Sequence, residues 1–112
     1  MTDDCVFCNI INRTIDSEIL EETEDYIIIR DILPKAPVHV LIIPKKHIIS
    51  LNHLEKGDEL MVGKLIFAAK NIANKLGVSD SGYKLIFNVG KDGGQVIAHL
   101  HLHMMGGKPL PE

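Results

Sequence analysis

The chain has 112 residues, of which 46% are hydrophobic and 24% charged, with five prolines, nine glycines and a formal net charge of −3. A chain this short buries roughly two-thirds of its unfolded surface, enough for one core, and residues 1–112 show no linker or repeat, so a single domain is expected. The mild acidity argues against a nucleic-acid groove, and no apolar run approaches the roughly 18 residues of a membrane span.

In chain order, Cys5 to Asn12 carries Val6, Phe7, Ile10 and Ile11 at helical spacings, which predicts a short helix capped by Asp3 or Asp4. The acidic start Met1-Thr2-Asp3-Asp4 is unlike the basic start of an export signal, and a cytoplasmic protein is expected. Cys5 and Cys8, three positions apart, cannot staple a fold. They read as half a tetrahedral metal site, a redox pair or free thiols in a reducing compartment. Strands are expected over Ile19 to Thr23, Tyr26 to Arg30 and Val38 to Ile43, the last ended by Pro44, with Pro34 and Pro37 holding the connection before it extended. Residues 58–76 read as the one long helix. Met61, Leu65, Ala68, Ile72 and Leu76 share one face of it, and Gly77 stops it. Tyr83 to Val89 is a fourth strand, Gly90 to Gly94 a turn, and His99 to Met105 a fifth strand closed by Gly106 and Gly107. The sum is an α+β domain: a five-stranded antiparallel meander with one short and one long helix, the long helix covering one face.

His99-Leu100-His101-Leu102-His103-Met104-Met105 is the informative segment. Strand side chains alternate, so three imidazoles project from one face while Leu100, Leu102 and Met104 enter the core. With six histidines in the chain, such a row arises by chance in roughly 0.02 of sequences of this composition. A wet strand face would be served equally well by Thr, Lys or Glu. Metal binding and acid–base or nucleophilic chemistry at phosphorus remain, and Gly93-Gly94-Gln95 just upstream favours phosphorus, because such a turn can aim backbone N–H groups at an anion. No Walker-type loop is present, so ATP-driven chemistry is not implied.

The run His99–Met105 resembles the signature of the histidine-triad (HIT) family, His-φ-His-φ-His-φ-φ with φ apolar. The resemblance extends to Phe7, Ile10 and Ile11, Arg30-Asp31-Ile32, Ala36-Pro37-Val38-His39, Ile43-Pro44-Lys45-Lys46-His47, Asn88 and Asp92-Gly93-Gly94-Gln95, and it points to the purine-nucleotide-binding branch. It implies a hydrolase acting on the α-phosphorus of purine nucleoside 5′-phosphoramidates, with His101 as the nucleophile that forms a nucleotidyl-imidazole. It implies that His103 meets the phosphate oxygens or leaving group, and His99, the first of the triad, is counted with His101 and His103 as catalytic. Gly94, Gln95 and the backbone of Val96 would line the phosphate site, with Asn88 bonding the phosphate or the leaving-group side. Asp31 would take the ribose hydroxyls, and Phe7, Ile10, Ile29 and Ile32 would form the base slot. It also implies a two-fold homodimer through the long helix and fourth strand. Relatives with an N-terminal C-x₂-C complete a structural zinc site that corresponds here to Cys5, Cys8, His39 and His99, which would hold His101 beside a rigid neighbour. No organic cofactor is implied. His47 follows two lysines, read as solvated, at a strand end and is left outside the site, and His53 is read as a surface residue.

Two departures stand out. Many relatives have Ser or Thr after Gly-Gly-Gln where this chain has Val96, and the tail lacks the tryptophan of animal members. Cleavage of dinucleoside polyphosphates is the alternative activity, set lower because those relatives usually carry Gln in place of Asn88. A non-catalytic nucleotide- or partner-binding module and a zinc-storage or redox module are the alternatives outside catalysis.

Overall fold

The computed structural model describes residues 4–112. Helix α1 (Val6–Ile11) is followed by strands β1 (Ile19–Glu22), β2 (Tyr26–Arg30) and β3 (Val38–Pro44), helix α2 (Glu59–Lys75), and strands β4 (Tyr83–Phe87) and β5 (Leu102–Gly106). The expected cap Asp3 lies outside the described residues. The N-cap is Cys5, whose sulfur accepts from the Cys8 N–H at 3.3 Å. The end of α2 follows the expectation. Gly77 takes φ +78°, its N–H meets the Asn74 carbonyl, and the Val78 N–H reaches back to Ala73, the paired bonds of a glycine-terminated helix.

The five strands form one antiparallel sheet in the order β1-β2-β3-β5-β4. The chain meanders through β1, β2 and β3, but β5 then inserts between β3 and β4. Burial explains the exchange. Leu102, Met104 and Met105 of β5 are buried and need neighbours on both sides, whereas β4 is only half-buried and tolerates an edge. The last strand also begins later than its sequence implies, at Leu102. The Leu100 N–H bonds the Ile48 carbonyl at 2.6 Å and the His99 N–H bonds Ile97, so His99 to His101 run off the ladder along the segment that follows β3.

Side-chain alternation divides the interior in two. Ile28, Val40, Ile42, Leu102 and Met104 pack beneath α2 against Leu65, Ala69 and Ile72. On the other face Ile27, Ile29, Leu41 and Ile43 pack against Phe7 and Ile10 of α1. Each fully buried Ile or Leu contributes roughly 1.5–3 kcal/mol, so the sheet, sealed by α2, is a stiff floor for what stands on its other face. That face also carries His39 and His103, because β3 and β5 pair His39 with Met105 and Leu41 with His103. On the α2 side, Leu60 and Phe67 are 73% and 67% exposed, and Leu85 is exposed on the edge strand. Among the described residues no helix is long and apolar enough to cross a membrane.

Candidate active site

His101 is 8% exposed, and its ring stands edge-on to Phe7, with centroids 5.0 Å apart. Its Nδ1 lies 2.7 Å from the His99 carbonyl oxygen, which can only accept. The proton therefore sits on Nδ1, and Nε2 keeps a free lone pair. The opposite arrangement holds for His103. The Lys35 N–H donates to Nδ1 of His39 at 3.1 Å, so neutral His39 carries its proton on Nε2. That Nε2 donates to Nδ1 of His103 at 3.0 Å, with Oδ2 of Asp31 at 3.3 Å from the same nitrogen. His103 must then hold its own proton on Nε2. Two adjacent rings, 4.9 Å apart, are thus set as a lone-pair donor and an N–H donor by backbone groups that neither of them supplies.

Burial keeps these rings neutral. It depresses the His101 pKa, while the hydrogen bond to His99 and the charge of Asp31 act the other way. His103 is pushed down to about 4 by burial first, then by His101 and His39, with Asp31 opposing. His39 is lowered by burial, against the pull of Asp31. A neutral imidazole is what nucleophilic attack requires, and burial favours that form in all three rings.

His101 and His103 face a cleft of about 600 Å³ between α1, the 31–37 turn and the 88–98 loop. Of the residues expected there, Phe7, Ile10, Ile29, Asp31, Ile32, Asn88, Gly94 and Val96 line it. Ile32 and Val96 form an exposed apolar rim, at 87% and 93% accessible. Val6, Ile15, Leu33, Lys35, Leu41 and Ile97 line it as well, and no motif marked them; the alternation of β3 could have placed Leu41. Gln95 does not line the cleft. Its amide nitrogen donates to the Ile49 and Ile97 carbonyls and its oxygen accepts from Gly90, so the side chain ties the loop to the segment after β3. Asn88 braces the same loop by donating to the Gly93 carbonyl at 2.8 Å. The turn admits no side chain at Gly93, where a Cβ would stand 2.3 Å from the Val89 carbonyl oxygen. Gly94 takes φ +78°.

His99 is fully buried and turned from the cleft. Its Nε2 donates to the Pro44 carbonyl at 2.8 Å, which leaves Nδ1 as an acceptor pointing at Cys5 Sγ (3.2 Å) and Cys8 Sγ (3.6 Å). His47 completes the group, its Nδ1 3.2 Å from Cys8 Sγ, and all four donor atoms lie within 4.8 Å of one another. A tetrahedral zinc ion bound to both sulfur and imidazole holds S and N about 3.6 Å apart, so the Cys₂His₂ donor set and its spacing are compatible with zinc. Burial, with Cys5 beside it, raises the Cys8 thiol to about 11, so an incoming ion must displace its proton.

The expected ligand His39 is not part of this group. Antiparallel pairing sets His39 opposite Met105, six residues from His99, which is about 20 Å along a strand. The chain beyond Pro44 is what approaches His99, and it brings His47. His39, His103 and Asp31 also bring donor atoms within 4.8 Å of one another. The Lys35 N–H on Nδ1 keeps the Nε2 proton of His39 in place, however, and makes this trio a hydrogen-bonded chain rather than an ion cradle.

A buried imidazole with a fixed Nδ1 proton thus stands beside an N–H donor and a glycine-rich loop on an antiparallel sheet. The HIT domain pattern matches residues 12–110, and the chain belongs to the HIT domain family. It is similar to the purine nucleoside phosphoramidase of Escherichia coli (strain K12), 39% identical over 110 residues that span 98% of this chain and 92% of that one. Its fold matches HIT family hydrolases from Clostridium thermocellum (TM-score 0.96, 42% identical, 100% of this chain and 97% of that one) and Legionella pneumophila (TM-score 0.94, 40% identical, 96% of each).

Proposed function

We propose that this HIT-family hydrolase cleaves purine nucleoside 5′-phosphoramidates, releasing the nucleoside monophosphate through a covalent nucleotide on His101. The observation that carries the reading is the Nδ1–H of His101 on the His99 carbonyl, which leaves the Nε2 lone pair in the cleft. Attack forms the Nε2–P bond as the P–N bond breaks. The electron pair leaves with the amine, which takes a proton from water at the open mouth. The substituted ring is an imidazolium whose remaining proton stays on Nδ1, donated to the His99 carbonyl oxygen; when water attacks phosphorus the P–Nε2 bond breaks, its electron pair returns to the ring, and the water's proton passes to solvent. His103 Nε2–H, with the backbone N–H of Val96, meets the phosphoryl oxygens as charge gathers on them, while the Gly94 and Gln95 N–H groups close the turn on the Lys91 and Gly90 carbonyls. Phe7, Ile10, Ile29 and Ile32 give a purine an apolar slot, and Asp31 supplies a carboxylate for the sugar.

Zinc held by Cys5, Cys8, His47 and His99 is the structural ion of this reading: four protein ligands leave no open position for chemistry. Thiolate ligands require a reducing compartment, which fits the cytoplasm. The apolar surface at Leu60, Phe67 and Leu85 supports a two-fold dimer through α2 and β4.

The reading is tested by following release of adenosine 5′-monophosphate from adenosine 5′-phosphoramidate, with rapid acid quench and intact-mass detection of the nucleotidyl adduct. Release together with an adduct on the wild type that is missing from His101→Ala is expected. Turnover by His101→Ala at the wild-type rate would refute it. A diadenosine polyphosphate run in parallel decides between the two enzyme activities.

A further inference from the structure

A nucleotide brings negative charge into this cleft, yet the histidines there are neutral and the nearest fixed charge, Asp31, is itself negative. The cleft has two cationic side chains. Arg30 is held by Glu18 at 2.9 Å. Lys35 has no carboxylate partner among the described residues, whereas Lys45, Lys46, Lys64 and Lys75 each have one. Its main chain is pinned. Pro34 and Pro37 bracket it, and its N–H is fixed to His39. The side chain is exposed and lines the cleft with Asp31 and His103. Its N–H meets His39, which in turn donates to His103, so this lysine stands at the His103 end of the cleft.

We infer that Lys35 is the cation that receives the phosphoryl oxygens of the substrate, a binding residue that selects an anionic centre over a neutral one. The assignment rests on the nucleotide reading of the cleft. The physical case is one of compensation. Neutral N–H donors solvate an anion that has lost its water but do not balance its charge, and an aliphatic wall does neither. A lysine on a pinned backbone supplies a compact charge on a four-carbon stem, able to follow the phosphorus as it moves toward His101. Changing this side chain leaves the Lys35 N–H, and with it the proton positions on His39 and His103, untouched.

Calorimetric binding of adenosine 5′-monophosphate and of adenosine to the zinc-loaded full chain tests the assignment with Lys35→Gln and Lys35→Arg. The glutamine variant is expected to bind the monophosphate about tenfold more weakly, the loss expected of one charge-assisted contact, and adenosine within about twofold of wild type. Lys35→Arg should stay within about threefold of wild type, and added salt should weaken monophosphate binding more steeply in wild type than in Lys35→Gln. A glutamine variant that binds the monophosphate as wild type does overturns the assignment alone. So does equal loss of both ligands, or an arginine variant as weak as glutamine. A wild-type chain that binds neither ligand overturns the nucleotide reading itself, and Lys35 with it.

Discussion

Two groups of histidines, one on the sheet and its rim and one beyond the end of β3, do opposite things with the same ring. Around Cys5 and Cys8, His47 and His99 turn Nδ1 inward to the sulfurs, and all four donors converge on one point. In the cleft, His39, His101 and His103 turn Nδ1 to backbone or neighbouring nitrogen and leave Nε2 of His101 and His103 outward, toward a ligand. For His39, His99 and His101 the chemistry is decided by which nitrogen a main-chain group has already claimed, and His103 takes its proton position from His39. His99 joins the two groups. Its side chain belongs to the first, and its carbonyl sets the proton of His101 in the second.

The contrast breaks most sharply at the nucleophile. His101→Ala should lower kcat/KM for a phosphoramidate by about 10⁴-fold or more while zinc content, measured by atomic emission, stays at wild-type stoichiometry. The next test sets His47 against His39. His47→Ala should strip the ion and lower the melting temperature by about 10 °C, whereas His39→Ala should retain the ion. His39→Ala removes the donor to His103 Nδ1 and should cost about 10- to 100-fold in turnover. Retention of zinc by His47→Ala with its loss from His39→Ala would reverse the ligand assignment made here.

Acid separates the groups more gently. His101 and His103 are harder to protonate in the fold than in the open chain, so both stay neutral as pH drops through 6.5. The acid limb of kcat/KM should therefore lie below 6.5 and extend toward the value of about 4 reached by His103. The same sign governs stability. Above 6.5 these rings are neutral in both states and make no difference; as pH falls from 6.5 toward about 4 the unfolded chain takes up protons that the fold refuses, and stability is lost. Urea midpoints at pH 7.5, 6 and 5 check this. The smallest effect lies farthest from both groups. If the proposed dimer through α2 and β4 forms, Phe67→Asp should turn it to monomer in light scattering while changing turnover of a phosphoramidate by less than about threefold.

Much of this was legible in the sequence because it is local. The triad is a period-two pattern, the C-x₂-C pair sits within one helical turn, and the apolar stripe of α2 with Gly77 behind it follows a single periodicity. What failed was pairing. Strand alternation says which face His39 occupies but not which residue of β5 lies opposite. One fact, the pairing of Val38 with Gly106, moves His39 beside His103 and brings His47 to His99. The exchange of β4 and β5 was hidden for the same reason, since order in a sheet follows burial on both flanks rather than succession in the chain. Gln95 escaped differently. The motif located the residue, but its side-chain direction depends on the Ile49 carbonyl, which reaches it from 46 positions away.

The Cys5 sulfur that starts α1 is the same atom that faces the proposed zinc site. A helix of six residues has no standing in water by itself, so the wall that carries Phe7 and Ile10 is held by its packing on the sheet and by the cap that its first thiol gives the Cys8 N–H. Chelating agents should accordingly loosen the grip on the nucleobase before they touch the phosphorus chemistry, and the order in which those two losses arrive measures how far one wall of the cleft depends on a single anchored atom.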